Sequence, residues 1–65
     1  MLDYELINEV AEKCGASVRG GINWIFIESV DYRVVNEVYF TLFGEPDDNA
    51  IWRDNTGVYS FRLHR

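Results

Sequence analysis

The stretch DYRVVNEVYFTLFG, residues 31–44, decides which of two folds the 65-residue chain adopts. Its many Val, Tyr and Phe residues favour a strand. Its apolar residues nevertheless recur with the period of a helix, and strict alternation of apolar and polar residues fails at Val34-Val35. Asp31 can cap such a helix and Gly44 can end it. The pattern therefore predicts a helix over 32–43, with a strand as the alternative.

An internal likeness supports this helix. Residues 2–10 (LDYELINEV) align without a gap on residues 30–38 (VDYRVVNEV), with five identical pairs and three exchanges between aliphatic residues. The first copy predicts a helix from Tyr4 to Cys14, because Asp3 is a favourable N-cap and Gly15 a favourable terminator. The likeness is either the trace of a duplicated helix–strand unit or the shared pattern of two capped amphipathic helices.

The other segments predict three strands. Residues 22–28 (INWIFIE) are apolar on both faces, which is typical of a central strand covered on both sides. Residues 50–53 and 58–64 flank a turn at 54–57, whose final glycine favours a hairpin. Residues 16–21 are a loop or a short edge strand, because two glycines end the segment.

These elements predict one α+β domain over residues 1–65, in the order α–β–α–β–β. A parallel β–α–β crossover followed by the hairpin gives a mixed three-stranded sheet with two helices packed on it. If residues 32–43 form a strand instead, one helix packs on a β-meander.

Charge and composition exclude several classes of function. Eleven acidic and six basic residues give a net charge of −5, which opposes direct binding to nucleic acid or anionic lipid and favours a basic partner. Strand aromatics such as Trp24, Phe26, Tyr59 and Phe61 can stack bases, but they lack a basic surround. Three carboxylates among the first ten residues are not typical of a signal peptide. No apolar run approaches the about 20 residues of a membrane span, and the chain has a single cysteine. We therefore expect a cytoplasmic protein with no membrane segment.

Candidate chemistry is sparse. Cys14 and His64 are the only pair that could form a nucleophile and its base, but Cys14 ends a helix, where the dipole disfavours the thiolate. The acidic loop at 45–49 lacks the ligand spacing of a calcium loop. We therefore expect no catalytic activity, no cofactor and no metal ion.

The features that remain point to protein binding. Ten aromatic residues exceed what so small a core can enclose, because each buries roughly 150–250 Å². Three glutamates of the first helix form a carboxylate row at i, i+4 and i+7 that can engage a basic groove. The hypothesis is an acidic protein-binding module, of the kind by which phage and mobile-element inhibitors block a basic, nucleic-acid-binding surface of a host protein. The predicted partner-binding residues are Glu5, Glu9, Glu12, Asp47, Asp48, Trp52 and Tyr59. The alternative is a homodimeric structural or regulatory subunit.

Overall fold

The computed structural model describes residues 3–45 and 47–64, apart from the side chain of Asp48. Two helices, four strands and one turn of 3-10 helix follow one another along the chain. They are α1 (Tyr4–Cys14), β1 (Ser17–Gly20), β2 (Trp24–Ser29), α2 (Tyr32–Phe43), the 3-10 turn (Asp48–Ala50), β3 (Trp52–Arg53) and β4 (Tyr59–His64). The α+β class is therefore confirmed.

Both helices begin and end at the residues that the sequence marks. The Asp3 carboxylate accepts a hydrogen bond from the Leu6 amide at 3.1 Å, and Gly15 ends α1 with a φ of 83°. Asp31 accepts from the Arg33 amide at 2.9 Å at the start of α2. The predicted helix over 32–43 is thus confirmed. Its apolar stripe is buried against the sheet, and this packing outweighs the strand preference of its residues.

The predicted sheet is wrong in strand number and in direction. The sheet has four strands in the order β1-β2-β4-β3, and every neighbouring pair is antiparallel. β1 forms despite its glycines, because Gly20 pairs with Ile25 and the Gly21 amide donates to the Trp24 carbonyl at 2.7 Å in the connecting turn. β2 and β3 run in the same direction, but β4 lies between them. The predicted parallel pairing is therefore replaced by a split β–α–β arrangement.

The strand boundaries also differ from the prediction. β2 begins at Trp24, two residues late, because Ile22 lies in the turn and is 91% exposed. β3 is reduced to two residues because the residues before it form the 3-10 turn. The hairpin turn is confirmed: Gly57 has a φ of 86°, which favours glycine, and the Asp54 amide donates to the Val58 carbonyl at 3.0 Å.

Both helices pack on the same face of the sheet and share one apolar core with it. The prediction that β2 is central is confirmed, but the described helices cover only one of its faces. The other face stays open, and this openness positions the candidate site. The buried core residues are Ile7, Val10, Ala11, Ile25, Ile27, Val35, Val38, Phe61 and Leu63.

The two halves of the chain have the same architecture. Each half consists of a helix followed by two strands that pair antiparallel with each other. The sheet order is symmetric about the β2–β4 pairing. The aligned residues of the internal likeness fall on equivalent helices, with Asp3 and Asp31 as the equivalent N-caps. This placement agrees with duplication and with shared helix capping alike, and Leu2 lies outside the described residues.

Candidate functional site

The candidate site is the helix-free side of the sheet, here called the open face. Side chains alternate between the two sides of a strand, so the neighbours of the core residues on β2 and β4 point away from the helices. Cross-strand pairing then assigns the residues of β1 and β3, because directly opposed residues share a side. The open face consists of Ser17, Arg19, Trp24, Phe26, Glu28, Trp52, Ser60, Arg62 and His64.

Arg62 lies at the centre of this face, between two indole rings. Its guanidinium carbon is 4.4 Å from the centre of the Trp24 ring and 5.6 Å from that of the Trp52 ring. Stacking of this kind contributes about 0.5–1 kcal/mol at an exposed position. Arg62 forms no ion pair with any described residue, so its charge is not neutralised within this part of the chain.

Arg19 differs from Arg62 in having a carboxylate partner. Its Nε atom donates to Oε1 of Glu28 at 2.6 Å, and its guanidinium carbon lies 4.4 Å from the centre of the Phe26 ring. Arg19 is therefore both stacked and neutralised. Of the two arginines of the open face, only Arg62 offers an uncompensated charge.

The aromatic residues of the open face differ in exposure. The His64 ring meets the Trp24 ring edge-on at 4.8 Å, so Trp24 is enclosed between His64 and Arg62 and is half-buried. Trp52, near the edge of the sheet, is 65% exposed. Of the two indoles, that of Trp52 leaves more apolar surface to solvent, while that of Trp24 fixes the position of Arg62.

A small cavity of about 100 Å³ opens on the sheet beside Arg62. Its walls combine aromatic rings with the Ser60 side chain and the Arg62 guanidinium. The space is large enough for one short side chain. The lining residues are Phe26, Trp52, Ser60, Phe61 and Arg62.

The structure does not bring the predicted partner-binding residues to one surface. Glu5, Glu9 and Glu12 are exposed on α1, in the helix layer, whereas Trp52 belongs to the open face. The Oε1 atom of Glu9 lies 3.9 Å from Nζ of Lys13, four residues later on the same helix. The three glutamates and Trp52 thus lie on opposite sides of the sheet.

Tyr59 and Asp47, two other predicted partner-binding residues, make contacts within the fold. Tyr59 points toward the helix layer, where its ring meets the Tyr32 ring at 5.4 Å. The Asp47 carboxylate caps the 3-10 turn by accepting from the Asn49 amide at 3.0 Å. The side chain of Asp48 lies outside the described part of the chain. Sequence reasoning missed Trp24 and Arg62 as a pair, although the alternation along β2 and β4 places both opposite the core residues.

The four strand aromatics that could stack bases do not share one side of the sheet. Trp24 and Phe26 lie on the open face, whereas Tyr59 and Phe61 face the helices, and Phe61 is 2% exposed. Cys14 is half-buried against the core at the end of α1, while His64 lies on the open face. The two residues are therefore on different sides of the sheet.

The carboxylate of Asp54 accepts hydrogen bonds within the hairpin turn. The pKa of Asp54 is lowered by the hydrogen bond from the Thr56 hydroxyl and then by the Val58 amide, which both favour the charged carboxylate. Among the side chains that the structure describes, no three of His, Cys, Asp or Glu cluster as metal ligands do.

Neither helix of the described chain has the length and apolar character that a membrane span requires. Comparison of the chain with protein-family models, curated proteins and solved structures finds no significant match.

Proposed function

We propose that the chain is a protein-binding module that contacts its partner through the open face. The observation that carries this proposal is the exposure of Trp52, which is 65% accessible on a sheet face that no helix covers. Enclosing the rest of that side chain against a partner would contribute about 3 kcal/mol at ~25 cal/mol per Å². One such residue can dominate a small interface.

The composition of the open face supports the same function. Tryptophan and arginine are the residues most enriched among those that dominate binding energy at protein interfaces. Here the Arg62 guanidinium lies over both tryptophan rings, so the aromatic and charged groups are ordered before any partner arrives. Such ordering reduces the entropy lost on binding.

The test is a comparison of three immobilised baits, namely the native chain, Trp52→Ala and Phe40→Ala, in a lysate of the source cell. Phe40 is the matched control, because it is an exposed aromatic residue (48%) on α2 and lies outside the open face. We expect the native chain and the Phe40→Ala variant to retain the same partner, identified by mass spectrometry. We expect Trp52→Ala to lose it, with an affinity about 100-fold weaker. Equal recovery on all three baits would contradict the proposal.

A second candidate function rests on the carboxylate row of α1. Glu5, Glu9 and Glu12 are all exposed and lie away from the open face, so they form a separate acidic surface. This surface suits an inhibitor of the phage or mobile-element kind, which binds a basic, nucleic-acid-binding surface of a host protein.

The same pull-down separates this candidate from the first. In the triple variant Glu5→Gln, Glu9→Gln, Glu12→Gln, the open face is intact and the acidic surface of α1 is neutral. Loss of the partner on this bait, together with retention on Trp52→Ala and a steep decrease of affinity with added salt, would favour the inhibitor.

A further inference from the structure

We infer that the open face binds an acidic segment of a partner protein, with one partner carboxylate received by Arg62. This inference rests on the proposed function and names the chemistry of its ligand. The predicted segment carries an Asp or Glu next to an apolar side chain.

Charge complementarity at the open face supports this choice. Arg19 is neutralised by Glu28 at 2.6 Å, whereas Arg62 has no carboxylate partner among the described residues. The open face therefore has an excess of positive charge, although the whole chain carries a net charge of −5. A guanidinium and a carboxylate can pair through two parallel hydrogen bonds, so a carboxylate of the partner is the group best suited to Arg62.

The orientation of Arg62 favours such a bond. Its guanidinium stacks 4.4 Å from the Trp24 ring centre, and the His64 ring encloses Trp24 from the side at 4.8 Å. The stack restricts the long arginine side chain before binding and leaves the edge of the guanidinium for donation. A planar donor that is already ordered loses less entropy when it forms two hydrogen bonds.

The cavity beside Arg62 provides a place for the apolar side chain of the recognised segment. Its volume of about 100 Å³ and its aromatic walls, Phe26 and Trp52, suit one short apolar side chain. Because Arg62 also lines this cavity, the apolar residue and the carboxylate of the partner must be near neighbours.

A nucleic acid fits the open face less well than an acidic protein segment. Affinity for nucleic acid rises with the number of phosphates neutralised, and among the described residues of the open face Arg62 alone is an arginine without a carboxylate partner. The chain has a pI of about 4.5, whereas nucleic-acid-binding domains are commonly basic. A single carboxylate needs only one arginine.

The experiment begins with selection of a random displayed peptide library on the immobilised native chain. Affinities of the enriched peptides are then measured by fluorescence anisotropy for the native chain, Arg62→Gln, Arg62→Lys, Trp52→Ala and Arg33→Gln. Arg33 is the charge-matched control, because its side chain is exposed at the start of α2. A labelled oligothymidylate and sedimentation of the chain alone complete the measurement.

We expect the enriched peptides to share an acidic residue beside an apolar one. Arg62→Gln should lower the affinity for these peptides about tenfold or more, and Arg62→Lys should lower it less. Arg33→Gln should leave the affinity unchanged. Trp52→Ala should also weaken them. Circular dichroism of each variant verifies that the fold is retained.

Several results would overturn the inference, and they differ in what they say of the proposed function. Peptides that require Trp52 but bind Arg62→Gln as tightly as the native chain would overturn the acidic ligand alone. Peptides that bind without regard to Trp52, or a library that yields none, would overturn the proposed function as well. Oligothymidylate binding that depends on Arg62, without enriched acidic peptides, would assign the open face to nucleic acid. Self-association abolished by Trp52→Ala would assign it to a second copy of the chain.

Discussion

The guanidinium carbon of Arg62 lies 4.4 Å from the centre of the Trp24 indole, across the pairing of β4 with β2. The two residues are diagonal neighbours, because Arg62 stands directly opposite Phe26 and Trp24 directly opposite His64. This contact joins the two central strands on the side that the helices leave uncovered. It therefore links the stability of the sheet to the surface that we propose for binding.

Replacing Arg62 by Gln should destabilise the chain slightly and alter its tryptophan emission. The expected loss in free energy of unfolding is about 0.5–1 kcal/mol, the contribution of an exposed cation–π contact. Urea denaturation followed by fluorescence measures it. Arg33→Gln removes the same charge from α2 and should leave the emission unchanged. An Arg62→Gln variant with native emission would show that the stack is absent in solution.

The core is expected to respond to the loss of a single methylene group at Ile27. Ile27 is 0% exposed, whereas Ile22 is 91% exposed in the β1–β2 turn. Ile27→Val should lower the free energy of unfolding by about 0.5–1.5 kcal/mol, because the removed group leaves unfilled space. Ile22→Val should change it by a few tenths of a kcal/mol at most. Thermal or urea unfolding compares the pair, and equal effects would contradict the described core.

The stability of the hairpin turn should depend on pH through Asp54. Its pKa is lowered in the folded chain, first by the Thr56 hydroxyl and then by the Val58 amide. A carboxyl group with a lower pKa in the folded state stabilises the fold above its ordinary pKa of about 4, and that stabilisation is lost as the pH falls through the folded value.

Melting temperatures of the native chain and of Asp54→Asn, measured from neutral pH down to acid, test this linkage. The native chain should lose more stability on acidification than Asp54→Asn, because asparagine does not titrate. Two parallel pH profiles would mean that the carboxylate is not hydrogen-bonded in the folded chain.

The carboxylate row of α1 should contribute little to folding. Glu9 lies 3.9 Å from Lys13 on an exposed surface, and Glu5 stands one helical turn before Glu9 with a like charge. Weak attraction and weak repulsion of this kind nearly cancel, so Glu9→Gln should change the free energy of unfolding by a few tenths of a kcal/mol. Equilibrium denaturation at low and high salt measures this. A large loss of stability would give the row a structural role and weaken the second candidate function.

The helices could be predicted from sequence because their determinants are local. Asp3 and Asp31 cap them, glycines end them, and the apolar residues recur with a helical period. The sheet could be predicted only in part. The contribution of β1 depends on backbone pairing between Ser17–Gly20 and β2, and the Gly20-Gly21 pair obscured it. The position of β4 between β2 and β3 is a long-range choice that strand patterns do not encode.

The candidate site shows the same division between local and long-range information. The surplus of aromatic residues predicts that some of them are exposed, and Trp52, a predicted partner-binding residue, is 65% exposed. The stack of Arg62 on Trp24 was not expected, because the two residues are far apart in sequence and meet only through the register of β2 and β4. Tyr59 is also a predicted partner-binding residue, but its alternation with Ser60 turns it toward the helices.

The most direct test of the open face as the binding surface uses its tryptophans. The chain has two tryptophans, and both belong to the open face. Fluorotryptophan incorporated into the chain gives two fluorine NMR signals, which the variant Trp52→Phe assigns. The solvent isotope shift of each signal between light and heavy water reports its exposure, without interference from an unlabelled partner. When the captured partner is bound, we predict that the isotope shift of Trp52 falls toward that of a buried ring. An unchanged isotope shift at Trp52 in the saturated complex would contradict the account.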